Sequence, residues 1–146
     1  NYEVLNGIAT FDVQERTYED AEAWFNEHDE QDHPIFVYEL DDEVIGYCSL
    51  STYRKLDAYA QTSEISLYIA NDFKSQGYGR LLANYVLEYA KENTQNHNII
   101  AVITSENLIS INLFFSLDFK DGGTIEECGK KFGKLLGITN LYRILN

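Results

Sequence analysis

Residues 63–93, SEISLYIANDFKSQGYGRLLANYVLEYAKEN, change their apolar period part-way, which forces a strand, a turn and a helix into one short span. Up to Ile69 the side chains alternate: Ile65, Leu67 and Ile69 point one way, Glu64, Ser66 and Tyr68 the other. From Tyr78 the apolar positions 78, 81, 82, 85, 86 and 89 recur at helical spacing to about Asn93. Between the two lie Gly77 and Gly79, flanked by Lys74 and Arg80. A helix that opens at such a turn presents unpaired N–H groups and partial positive charge, and glycine lets the backbone approach an anion. The same two glycines also suit a plain tight strand-to-helix turn. A Walker-type phosphate loop is excluded by the lack of GxxxxGK[ST], and the dinucleotide fingerprint by the missing third glycine.

The remaining chain frames this unit. Thr17-Tyr18-Glu19-Asp20 reads as a capping box that opens a helix through Tyr18, Ala21, Trp24 and Phe25 to about His28. Pro34 bars its continuation. IFVYEL and EVIGYCSLS then flank Asp41-Asp42 as a hairpin, and 53–61 lacks a clean period and reads as a loop. NIIAVIT has the continuous β-branched character of a strand covered on both faces. Ser105 to Leu117 reads as a helix, with strands expected around Phe119 and from Ile138 to Leu145. No internal repeat interrupts the order helix, hairpin, strand, helix, strand, helix, strand, strand, so a single α/β (α+β) domain over 1–146 is expected.

Composition bounds the function. At 146 residues and 45% apolar content the chain can bury a core without metals or disulfides. Cys48, in an apolar run, and Cys128, beside Gly129, read as reduced structural thiols, and His28, His33 and His97 show no metal-ligand spacing. Eleven basic against 24 acidic residues, a net charge of -13, disfavour a nucleic-acid partner. Lys120, Lys130, Lys131 and Lys134 read as a solvated face, with a docking patch for a small phosphorylated ligand as the alternative. With no apolar run long enough for a membrane and no basic, apolar leader, a soluble cytoplasmic protein is expected. The chain contains no methionine and begins with Asn1, without an initiator residue, so its true N-terminus is expected to lie outside these residues.

The pattern Lys74-Ser75-Gln76-Gly77-Tyr78-Gly79 resembles the Arg/Gln-x-x-Gly-x-Gly/Ala turn with which the GNAT acetyltransferases cradle the pyrophosphate of acetyl-CoA, with Lys74 in place of the usual first residue. IATFD (8–12), GYCSLSTYR (46–54), SEISLYI (63–69), NLISINLFFSLDF (107–119) and CGKKFGKLL (128–136) look like the phosphinothricin (methionine sulfoximine) acetyltransferase branch. The resemblance implies the GNAT fold, a central mixed and mostly antiparallel sheet flanked by helices, with its first strand and part of the first helix expected to lie outside residues 1–146, acetyl-CoA as co-substrate, no metal, and a homodimer acting on a small-molecule amine without nucleic acid or membrane.

It also implies roles. Glu64 matches the branch's base; Leu67, Tyr68 and Ile69 would meet the thioester arm with backbone groups; Lys74, Ser75, Gln76, Gly77, Tyr78, Gly79 and Arg80 would hold the pyrophosphate, and Asn107 and Ser110 the pantetheine arm. Arg54 would take the acceptor's carboxylate, with Phe11 and Tyr53 walling the pocket. Where the branch has an acid, tyrosine or histidine, this chain has Phe114, expected to pack; where it has a second arginine, a tryptophan and an acidic residue, it has Leu56, Leu135 and Gly137. The acceptor is then expected to be amino-acid-like. A polyamine or a protein N-terminus, or a silent acetyl-CoA-binding module, are the competing readings.

Overall fold

The computed structural model describes residues 31–146. Phe11, the 8–12 segment and the helix expected from Thr17 to His28 lie outside the described residues. The strands are β1 (Ile35–Leu40), β2 (Glu43–Thr52), β3 (Thr62–Ile69), β4 (Asn98–Thr104), β5 (Lys120–Lys131) and β6 (Lys134–Ile144), and the helices α1 (Tyr78–Asn93) and α2 (Leu108–Ser116). The chain divides into two compact units: residues 31–100 with Arg143–Asn146, and Ala101–Tyr142.

In the first unit β1, β2 and β3 form an antiparallel meander, and β3 pairs in parallel with the start of β4. Asp41 and Asp42 close the β1–β2 hairpin with φ of 50° and 64°, the doubly left-handed turn whose twist suits adjacent strands. One face of the meander, through Cys48, Leu50 and Ile65, is buried. Helix α1 buries Leu82, Ala83, Val86, Leu87 and Ala90, while Leu81 and Tyr85 stay 60% and 57% exposed. The apolar stripe therefore lies about one position further along the helix than a count of large apolar residues indicates, because Ala83 and Ala90 let the helix sit close. Each buried leucine or valine of this stripe contributes roughly 1.5–3 kcal/mol. The helix stops at Thr94, whose N–H and hydroxyl both donate to the Ala90 carbonyl, at 3.2 and 2.7 Å.

In the second unit β5 and β6 form a long antiparallel hairpin, closed by Phe132 and Gly133 at φ 54° and 72°. With β4 shared, the strand order reads β1-β2-β3-β4 and then β6-β5. The last two strands thus meet at the KFG segment, earlier than the expected start at Ile138. Helix α2 begins at Leu108 rather than Ser105, because Asn107 N–H donates to the Thr104 carbonyl in a turn ahead of it. Strand β4 is not covered on both faces: Ile99, Ala101 and Ile103 are buried and Val102 is 38% exposed. Cys48 is buried as expected, but Cys128 is exposed, at a register shift of β5. Of the four lysines read as solvated, Lys131 is buried, its ammonium 5.3 Å from the centroid of the Phe132 ring.

Candidate functional site

The β2–β3 register assembles a polar face. Ser51 stands opposite Glu64, Ser49 opposite Ser66, and Tyr47 opposite Tyr68. Directly opposed residues share a face, so six hydroxyl- or carboxyl-bearing side chains line one side of two strands whose other side is apolar core. Tyr47 and Tyr68 stack with ring centroids 5.8 Å apart. The strands close up at that end because Gly46 faces Ile69: a Cβ there would come within 2.5 Å of the Tyr68 carbonyl oxygen. The alternation of β3 was legible in the sequence. That of Tyr47, Ser49 and Ser51 was equally present in GYCSLS, but only the pairing shows that these side chains face Glu64.

Glu64 is half-buried, and loss of water raises its carboxyl pKa above the ordinary value, partly offset by the positive charge of Arg54. A carboxyl held this way binds a proton more readily than a surface glutamate does, as a proton acceptor in catalysis requires. Arg54 is itself placed by Tyr53: its guanidinium carbon lies 4.3 Å from the Tyr53 ring centroid, and Nη1 donates to the Tyr53 carbonyl at 3.4 Å. Tyr59 meets Tyr53 edge-on at 5.9 Å. The 53–61 loop thus brings Tyr53 and Arg54 to the Glu64 end of β3, turning through a short 3-10 segment at Asp57–Tyr59.

At the other end of β3 the chain makes a 3-10 turn, Asn71–Phe73, and enters α1 through the glycine segment. Lys74 is extended, Ser75 has φ 63° and Gly77 has φ 88° as the N-cap. Among the described residues no side chain caps this helix, no acidic residue occupies its first turn, and a Cβ at Gly77 would meet nothing within 4 Å. The turn is therefore not shaped by close packing at Gly77. The end of a 16-residue helix, with exposed Lys74, Ser75, Gln76 and Arg80 around it, suits a phosphate-bearing group. Tyr78 anchors the turn from below, its ring 5.1 Å from Tyr38 and 6.4 Å from Phe73.

Asn107 and Ser110 belong to the Ala101–Tyr142 unit, where Asn107 caps α2 by accepting the Ser110 N–H at 3.3 Å. Phe114 is 4% exposed and packs edge-on against Phe119 at 5.0 Å, the packing residue it was expected to be. Among the described residues no three His, Cys, Asp or Glu side chains gather as a metal site.

Comparison with known proteins gives these features a context. The profile of the family described as Acetyltransferase (GNAT) domain matches residues 1–136. L-amino acid N-acyltransferase MnaT of Escherichia coli K12 is 31% identical over 139 residues, 95% of this chain and 80% of that protein. The L-methionine sulfoximine/L-methionine sulfone acetyltransferase of Pseudomonas paraeruginosa PA7 is 34% identical over 119 residues, 81% of this chain and 69% of that protein. Among solved structures, the phosphinothricin acetyltransferase of Sinorhizobium meliloti in complex with acetyl-CoA superposes with a TM-score of 0.93 at 27% identity, covering 99% of this chain and 78% of the other.

Proposed function

This chain belongs to the GNAT acetyltransferase family and uses acetyl-CoA as co-substrate, and from that premise we propose that it moves the acetyl group to the primary amine of a small amino-acid-like acceptor of the phosphinothricin and methionine sulfoximine type. The observation that carries the reading is the placing of Glu64 within the field of Arg54: a half-buried carboxyl of raised proton affinity near a guanidinium held on Tyr53. An α-amino acid offers an ammonium for the first and a carboxylate for the second, and a guanidinium fork suits a planar carboxylate.

Acetyl-CoA supplies the activated acetyl thioester. The residues of this chain do the rest. Lys74 to Arg80, with the N-terminal amides of α1, hold the pyrophosphate, and Asn107 and Ser110 the pantetheine arm. The backbone of Leu67 to Ile69 orients the thioester, with an N–H directed at the oxygen where negative charge develops. Glu64 takes the proton from the acceptor ammonium, directly or through water, which frees the lone pair for attack. Arg54, with Tyr53 as a wall, fixes the acceptor so that its nitrogen meets the carbonyl carbon; as the C–N bond forms the C–S bond breaks, CoA leaves as the thiolate, and the second nitrogen proton passes through water to that thiolate, giving the amide and the CoA thiol. We place the 146 residues as one catalytic domain, dimeric and in the cytoplasm, where both cysteines stay reduced. A net charge of -13 keeps nucleic acid away.

The test is release of the CoA thiol from acetyl-CoA across a panel of methionine sulfoximine, phosphinothricin, a polyamine and a peptide N-terminus. Turnover is expected with the amino-acid analogues. Turnover confined to the polyamine or the peptide overturns the acceptor assignment.

A further inference from the structure

Strand β3 pairs in parallel with β4 through three rungs only, Thr62 with Asn98, Ser63 with Ile99 and Glu64 with Ile100. The carboxyl assigned as base therefore stands on the last rung of that ladder. One residue before it, the chain is clamped. Ser63 is fully buried, and its hydroxyl donates to Asn96 Oδ1 at 2.5 Å, joining residues 33 apart in sequence. Asn96, 4% exposed, spends both amide hydrogens as well, Nδ2 donating to the Asp32 carbonyl at 2.8 Å and to Thr94 Oγ1 at 3.0 Å. Its own N–H donates to the same Thr94 oxygen at 3.1 Å, and Thr94 in turn donates to the Ala90 carbonyl in the last turn of α1. Gln95 N–H closes the set on Asp32 Oδ1 at 3.0 Å.

A polar network this deep is stable only when its members are satisfied, and here Asn96 uses its oxygen and both amide hydrogens. A serine at a fully buried strand position contributes little hydrophobic burial, so packing alone does not account for it. What the network does account for is position. It ties β3 at Ser63 to the C-terminal end of α1, whose N-terminal end is the glycine turn. Ser63 points away from Glu64 by strand alternation, so the tie acts through the backbone.

We propose that Ser63 and Asn96 are positioning residues for the acetyl transfer, their hydrogen bond fixing where Glu64 stands. The inference rests on the assignment of Glu64 as the base. A displacement of about 1 Å at a reacting group can cost on the order of 100-fold in rate, and a partial relaxation here is expected to cost about tenfold in kcat.

The experiment measures kcat, acetyl-CoA affinity and the pH dependence of kcat/KM for Ser63→Ala, Asn96→Ala, the double variant, and Val86→Ala as a control for lost stability in α1. Ser63→Cys, close to serine in shape but a weak donor, serves if alanine leaves a void. The expected result is a loss of about tenfold in kcat in each single variant and no further loss in the double, with acetyl-CoA affinity kept, the acid limb of the pH profile moved, and the control unchanged in both. If Ser63→Ala and Asn96→Ala match the control in kcat and acid limb while Glu64→Gln is inactive, the positioning role is overturned and the base stands. If Glu64→Gln turns over like the native chain, the base assignment fails, and the proposal with it.

Discussion

At the scale of the residue, burial and Arg54 oppose each other at Glu64. Burial raises its pKa above the ordinary carboxylate value and Arg54 lowers it, with burial the larger effect. As the proposed base, Glu64 works ionised, so kcat/KM is expected to rise with pH through the raised pKa. Arg54→Ala removes the lowering charge, so the acid limb should move to higher pH as the KM of the acceptor rises, both read from one set of pH–rate profiles. The same shift has a sign for stability. A carboxyl whose folded pKa lies above its unfolded one favours folding when protonated, and that contribution declines as pH rises from the ordinary carboxylate range through the folded pKa. Glu64→Gln should therefore melt at a higher temperature than the native chain at neutral pH, a gain that disappears in acid. Phe114 offers a contrasting case. Tyrosine at 114 would carry its hydroxyl into the packed contact with Phe119, so Phe114→Tyr should lower stability by roughly 1–3 kcal/mol and leave kcat no higher. A rise in kcat would show that the ring reaches the leaving thiolate.

At the scale of the element, the glycine turn was the most legible part of the chain. The change of period from two to 3.6 located β3 and α1, and the structure places the N-cap at Gly77. Which stripe of α1 is buried was less legible, because large apolar side chains such as Leu81 and Tyr85 stay exposed while small Ala83 and Ala90 make the contact. The β5–β6 turn was missed for a similar reason: Phe132 in a left-handed conformation is an unusual choice for the first position of a tight hairpin. The face opposite Glu64 needed the strand register, which sequence alternation alone does not supply. For the turn itself, Gly77→Ala meets open space, so its cost is the left-handed backbone, about 1–2 kcal/mol. Calorimetry should record that loss together with weaker acetyl-CoA binding.

At the scale of the whole molecule, the proposed single catalytic domain and a bound polyanion make a joint prediction. The two compact units should unfold in one cooperative transition rather than two. Acetyl-CoA at about 100 times its Kd should stabilise the folded state by about 2.7 kcal/mol. In a chain of this size that moves Tm upward by roughly 5–10 °C. The acidic surface and the anionic co-substrate are reconciled locally, since Lys74, Arg80 and the end of α1 concentrate positive charge at one turn whatever the net charge. The most direct test of the account is CoA thiol release with methionine sulfoximine by the native chain and by Glu64→Gln, with acetyl-CoA affinity measured on both. Turnover is expected in the native chain, with its loss in Glu64→Gln and equal acetyl-CoA affinity in both. Undiminished turnover in Glu64→Gln would contradict the account.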